Sequence, residues 1–525
     1  MLRIQCSLGM VLAMSSIGLP ACDPHPGPAR IIIDGTYDDW KHIPLADEDS
    51  QGDQLDGVVD FRRLWLANDE THLFLRTEFD PVRNLQKIKG RVRIYLDVDR
   101  NPATGWPIHG IGSDFAILFP ERHAVEQSES AFSVAVMPHA DIALEVAPTV
   151  EAAQFEVRIS RDAVFPVSKT RVFPNADFDV VLEAWSIGPA MNECAHLPGV
   201  PAEYQPDAPG GLTYTFAPGK LPPYPLTPLD KENSRSVRLV CYNVLFDGLF
   251  ERPDEFRRIL QALRPDIICF QEVWAHTAKD VRELLDGWLP LGDGNHWNAH
   301  QAFGNVICSR WPLGLTAVET VPPGPSILAM ALVDLPDSTY LKDLYVVNNH
   351  FPCCGCSGST ADLERQKNAD AIVNWLRDAR TIGENIDLNP NTPFVICGDL
   401  NMVGGFQSRE TLLTGNIVNE FEFGADSSPD WDGSPISNAF PRHAGGPYTY
   451  TWRDDSTLFG PGRLDFVMFS DSALGVQKSF VLWTPDLPAE VLARHGLLAA
   501  DTQIASDHLP LVVDFLIPTA FNSRN

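Results

Sequence analysis

The chain has 525 residues, 44% of them hydrophobic and 21% charged, with a formal net charge of -29 at pH 7. That length and apolar content exclude a disordered chain and exceed one ordinary domain, so two or more cores are expected. The acidic excess runs through both halves, which disfavours a protein that grips polyanions over a broad basic face but leaves room for a local groove.

The N-terminus, MLRIQCSLGMVLAMSSIGLPAC, sets one basic residue, Arg3, before an apolar stretch too short and too Ser/Gly-broken to span a membrane well. The pattern predicts an export signal over residues 1–22. Its end, Leu19 to Cys22, resembles the lipobox of bacterial lipoproteins, whose cysteine is lipidated and becomes the mature N-terminus; plain cleavage near Ala21 is the other reading. The expected location is extracellular, periplasmic or lipid-anchored to the bacterial cell envelope, with Cys22 as the only tie to a membrane.

Residues 30–218 read as strands. RRLWLANDETHLFLRTEF holds two alternating runs around a polar turn, and RVRIYLDVD and FEVRISRDAVF share the period of two, which predicts an all-β sandwich. IDGTYDDW (residues 33–40), that hairpin, and YLDVDRNPATG followed by GSDF resemble carbohydrate-binding family-9-like domains, which implies a glycan partner. Asp97, Asp99 and Asn101 alternate as Ca²⁺-loop ligands do, and an ion-free Asp/Asn-rich turn is the competing reading.

Proline and glycine crowd the stretch from Pro201 to Asp230, so a Pro-rich linker is expected over residues 219–235, with a second domain at 236–517. There, Phe256, Ile259, Leu260 and Leu263, and again Ala369, Ile372, Val373 and Leu376, recur at helical spacing, with Pro253 at the start of the first helix. Short, nearly continuous apolar strands lie between, the mark of sheets covered on both faces, so this half is α/β. Cys241, Cys269, Cys308 and Cys397 fall inside such strands and are expected as small core hydrophobes. In FPCCGCSG, a disulfide between Cys353 and Cys356 is the expectation for an exported chain, with a packed loop or a thiol metal site as alternatives.

Polar residues repeatedly end the buried strands: Asn243, Glu272, His350, Asp399, Asn401 and the pair Asp507-His508. Each alone reads as a turn or cap. Together they read as side chains converging at strand ends on a hard cation and a phosphate.

YNV (242–244), QEV (271–273), NNHF (348–351), GDLN (398–401), RLDFV (463–467) and SDHLP (506–510) resemble, in order, the endonuclease/exonuclease/phosphatase superfamily. The resemblance implies a four-layer α/β sandwich, two mixed sheets flanked by helices, and a phosphoric ester hydrolase using Mg²⁺ or Mn²⁺. It further implies that Glu272 binds the metal with Asn243 and Asp507 in support, and that Asp399 orients or deprotonates the water. Asn401 would steady phosphoryl oxygens, His508, oriented by Asp465, would act at the scissile phosphate, and His350 would be a second imidazole donor. Arg365 and Arg453 are candidate phosphate contacts, since guanidinium matches phosphate, or else part of a solvated helix face or an ion pair with neighbouring acids.

Three functions remain open on these residues. A nuclease or phosphodiesterase acting on DNA or RNA comes first; a phospholipid or sphingolipid phosphodiesterase or a phosphatase comes second; a surface binding protein with an inert hydrolase fold comes third. The aromatics of GGPYTYTWRDD (445–455) would suit interfacial docking, but their alternation reads better as strand packing.

Overall fold

A computed structural model describes residues 27–49, 59–88, 92–184, 212–320, 327–383 and 386–519. The expected signal, and with it Cys22, lies outside the described residues. No helix among them is long and apolar enough to cross a membrane.

The N-terminal region is mostly strands. Five of them form one antiparallel sheet and six a second, and both contribute inward-facing side chains to one core that includes Phe79, Phe115, Phe119, Phe155 and Phe178. Alternation is the cause: in Phe155, Val157 and Ile159 every second residue of the strand Ala152–Ser160 reaches that core. The DVDRN turn is closed by its own acids: Asp97 and Asp99 accept from the Asn101 amide, and Asn101 Oδ1 accepts from Ala103 N at 3.2 Å. Asp114, from the facing segment, brings its carboxylate to those of Asp97 and Asp99. Burial, then Asp99 and Asp97, pushes the Asp114 carboxyl up to about 7.

The C-terminal region carries two mixed six-stranded sheets with helices. In the first, β1 (Val237–Asn243), β2 (Ile267–Gln271), β3 (Asn298–Ala302) and β4 (Asn305–Ser309) join two later strands. The second holds β5 (Leu313–Thr320), β6 (Ile327–Val333), β7 (Leu344–His350), β8 (Phe394–Asp399), β9 (Ser437–Asn438) and β10 (Asp465–Phe469). The remaining two, β11 (Gly475–Val481) and β12 (Leu511–Leu516), complete the first, in the order β3-β4-β2-β1-β12-β11; the second runs β5-β6-β7-β8-β10-β9. Each sheet has one parallel pair at its centre, β1 with β2 and β7 with β8.

Helices α1 (Pro253–Leu263) and α2 (Ala278–Trp288) cover the outer face of the first sheet, and α3 (Thr360–Ala379) that of the second. The predicted stripes are the buried ones: Phe256, Ile259, Leu260 and Leu263 in one, Ala369, Ile372, Val373 and Leu376 in the other. Between the sheets lie Cys241, Cys269, Cys397, Val346 and Val513, all fully buried. Cys308, as buried, faces the helical side. Gly398 fits this packing for a physical reason: at φ +142, a Cβ there would stand 1.8 Å from Asn349 O.

Residues 216–235 form no regular element, yet they are packed. Leu229 joins the core under α1, and its carbonyl accepts from Arg238 Nη1 at 2.7 Å. The sandwich also touches the loop after β8: Thr149 Oγ1 donates to Met402 O at 2.6 Å, Glu151 N to Gly404 O at 2.9 Å, and Val150 joins the core under α3.

Arg238, wholly buried in β1, donates to both oxygens of Asp514 in β12 at 2.6 and 2.7 Å. Asp514→Ala leaves that guanidinium without its counter-ion, and denaturant unfolding should show a loss of about 3–5 kcal/mol.

Candidate active site

The site sits where the two parallel pairs end. Asn243 closes β1, Glu272 follows β2, His350 closes β7, Asp399 closes β8 and Asp465 opens β10. His508 precedes β12, where its backbone N donates to Ser506 Oγ at 3.1 Å while that hydroxyl donates to Asn243 O at 2.9 Å. Two packed sheets thereby bring six residues from a span of more than 260 positions to one mouth.

Asn243 Nδ2 is shared between Glu272 Oε1 at 3.0 Å and Asp399 Oδ2 at 3.1 Å. His350 Nε2 lies 3.4 Å from the same Asp399 oxygen and 3.9 Å from the same Glu272 oxygen. His508 Nε2 approaches Asp399 Oδ2 at 3.4 Å, and its Nδ1 meets Asp465 Oδ2 at 2.8 Å. Asp465 is anchored in turn by Thr451, whose hydroxyl accepts from the Asp465 amide at 2.9 Å.

Charge follows geometry here. Burial disfavours a charged His508, but Asp465 and Asp399 overcome it and push the imidazole up to about 10. His350 is raised as well: burial opposes it, while the hydrogen bond and charge of Asp399, with Glu272, favour the cation. Burial alone would raise Asp399; the two histidines and Asn243 hold it below the usual carboxylate range. Asp465 stays above that range, because burial outweighs the help of His508. The site is thus a carboxylate between two imidazolium-prone rings, one of them held in orientation by a second acid.

A hard divalent cation fits this donor set. Glu272 and Asp399 converge on one amide, and the two carboxylates and one imidazole of Asp399, Asp465 and His508 have ligand atoms within 4.8 Å of one another. Glu272 has φ +65, a conformation costly for a non-glycine residue and typical of functional positions. Its second oxygen accepts from Phe246 N at 3.0 Å.

Not every candidate joins the cluster. Asp507 Oδ2 accepts from Trp452 Nε1 at 2.9 Å, and the residue lines a neighbouring cleft of about 480 Å³ with Leu245, Arg252 and Arg453. Asn401, φ +46, donates Nδ2 to Phe351 O at 3.0 Å, so it ties the loop after β8 to the end of β7. Arg453 lines the Asp507 cleft with its guanidinium held by Asp455 at 2.6 Å, the local ion pair. Arg365 is wholly buried in α3, donating to Pro352 O at 2.9 Å and Cys354 O at 2.7 Å; it braces the loop that leaves His350 and does not face solvent.

That loop also corrects the cysteine expectation. Cys353 and Cys354 are free and exposed, whereas Cys356 is disulfide-bonded, so the expected Cys353–Cys356 pair does not form. The partner of Cys356 lies outside the described residues. Sequence reasoning also missed a polar bridge between the sheets: Gln271 Nε2 donates to Asn348 Oδ1 at 2.7 Å, both wholly buried. Their places inside QEV and NNHF were the available signal. Asp247 was missed too, and its carboxylate accepts from Trp274 N at 2.9 Å, locking the turns after β1 and β2 together.

A sequence model of the Endonuclease/Exonuclease/phosphatase family matches residues 240–508. The chain belongs to that family, whose hydrolase fold supports a phosphoric ester hydrolase. No curated protein matches it. Among solved structures it is similar to D. rerio TDP2 complexed with a single-strand DNA product, at 14% identity over 54% of this chain and 100% of that one, TM-score 0.34. It is also similar to the human Nocturnin catalytic domain with bound sulfate, at 17% identity over 55% and 96%, TM-score 0.32. A third is an endonuclease/exonuclease/phosphatase from Beutenbergia cavernae, at 18% identity over 54% and 72%, TM-score 0.32.

Because Arg365 supports the His350 loop from inside, Arg365→Ala should lower unfolding stability by about 1–3 kcal/mol, the cost of buried acceptors left unpaired. Thermal unfolding beside the wild type checks it.

Proposed function

We propose that this chain is an exported, divalent-metal-dependent phosphodiesterase that hydrolyses nucleic-acid phosphodiester bonds by attack of water. One observation carries the reading: Asp399 stands within 3.4 Å of both His350 Nε2 and His508 Nε2, with Asn243 linking it to Glu272. Phosphoryl transfer asks for this division, a carboxylate to position water and cationic donors for charge that spreads over the phosphoryl oxygens.

In this reading Asp399 orients the water and accepts its proton. His508, held in one orientation by Asp465, donates toward the phosphate, and His350 does so from the other sheet. Asn401 acts by holding the loop after Asp399. Glu272, with Asn243 beside it, would hold Mg²⁺ or Mn²⁺, which when bound neutralises phosphoryl charge. Asp507 supports the segment before His508. Export rests on the signal-like N-terminus, and the disulfide at Cys356 supports an oxidising compartment.

Full-length protein should hydrolyse single-stranded oligonucleotide or bis-p-nitrophenyl phosphate with Mg²⁺ or Mn²⁺ and lose that activity in EDTA. Asp399→Ala and His508→Ala should each reduce kcat by about 10²–10⁴-fold. Asp465→Asn, which keeps the shape and removes the charge, should lower kcat while KM stays near wild type. Equal activity in EDTA would remove the metal from the reading; equal activity of wild type and His508→Ala would remove the site.

A further inference from the structure

Beside the catalytic cluster stand three exposed aromatic side chains: Phe246 at 70%, Phe303 at 56% and Trp274 at 41% exposure. Large exposed aromatics grouped at a polar site are uncommon unless something covers them. Trp274 follows Glu272 by two residues, and its ring centroid lies 6.2 Å from that of His350. Phe303 meets Trp274 edge to face, centroids 4.9 Å apart at 73°.

The backbone holds this pair in place. Phe303 and Gly304 form the two-residue turn between β3 and β4, and Phe303 has φ +55. In such a turn a positive φ at the first position ordinarily belongs to glycine, so an aromatic residue there is held against its own preference. Gly304 supplies the floor: a Cβ would lie 2.5 Å from the Trp274 ring, so only glycine lets the indole lie against the turn. Val273 N donates to Gly304 O at 3.0 Å and Gln301 Nε2 to Val273 O at 3.2 Å, which ties the turn to the segment carrying Trp274.

Resting on the phosphodiesterase reading above, we propose that Trp274 and Phe303 form a platform on which the nucleobase flanking the scissile phosphate of a single-stranded nucleic acid stacks. A nucleobase stands one sugar away from its phosphate, and the platform stands beside His350. Charge supports the same choice. The chain carries -29, and Arg252, Arg365 and Arg453 near the site all donate to protein acceptors, so stacking must supply what counterion release does not. A choline headgroup would need a cage with open space between faces, and here the two rings pack directly on each other.

The test compares kcat/KM on an oligothymidylate and on an oligomer of abasic residues of equal length, with Mg²⁺ or Mn²⁺. Wild type should prefer the base-bearing oligomer by about tenfold or more. In Trp274→Ala that preference should fall toward one, mainly through KM, and Trp274→Phe should keep most of it. Phe303→Gly gives a readout that a structural role would not: Tm unchanged or higher, with the preference reduced.

No preference in the wild type, or an equal loss on both oligomers in Trp274→Ala, would overturn the platform. So would a wild type active on sphingomyelin alone, with that activity lost in Trp274→Ala, which would assign the rings to a lipid headgroup. Activity on bis-p-nitrophenyl phosphate without base preference removes only the platform; no activity on any of these esters removes the phosphodiesterase reading with it.

Discussion

The side-chain amide of Asn243 reaches from one sheet to carboxylates of both, Glu272 on its own sheet and Asp399 on the other. Two acids so close, at the mouth of a dry core, repel each other unless donors intervene. The amide and the two histidines are those donors, with Asp465 behind His508 accepting from its other ring nitrogen, and each is fixed by the strand it borders. Sheet register is therefore electrostatics in this protein. A one-residue slip in β1 would turn Asn243 away and leave Asp399 without one of its partners.

The same demand explains where the backbone is under strain. Leu245, Phe246, Asp247, Glu272, Cys354 and Asn401 all have positive φ without being glycine, and they lie on the turns that leave the four central strands. Such conformations cost of order 1–3 kcal/mol each and persist only where surrounding contacts impose them. Here Asp247 imposes them by taking the amides of Trp274 and Ala275, and Arg365 by gripping the carbonyls of Pro352 and Cys354.

Residues whose meaning depends on local period or on strand ends were legible in the sequence. The helix stripe of Phe256, Ile259, Leu260 and Leu263, the buried strand cysteines and the polar strand ends all fall in this class. Residues whose meaning depends on exposure were not. For Arg365 and Arg453 the sequence left phosphate contact, solvated face and ion pair open, because it shows a guanidinium but not the carbonyls or carboxylate already holding it. Spacing grouped Asp97, Asp99 and Asn101 but did not show Asp114, which the fold brings to the two acids from another segment. Nothing in the dipeptide Phe-Gly marks Phe303 as outward, since that follows from a turn geometry its residue type does not favour.

The sandwich is more than a passenger. Val150 sits in the hydrophobic core beneath α3, and Thr149 and Glu151 take the carbonyls of Met402 and Gly404 just past Asp399 and Asn401. The segment from 149 to 151 thus contributes a side chain to the hydrophobic core of the hydrolase half and two donors to its loop after β8. The two halves are consequently not freely exchangeable modules. A lineage that swapped this sandwich for another carrier would have to supply a new residue in place of Val150, so the two parts are constrained to drift together at that seam.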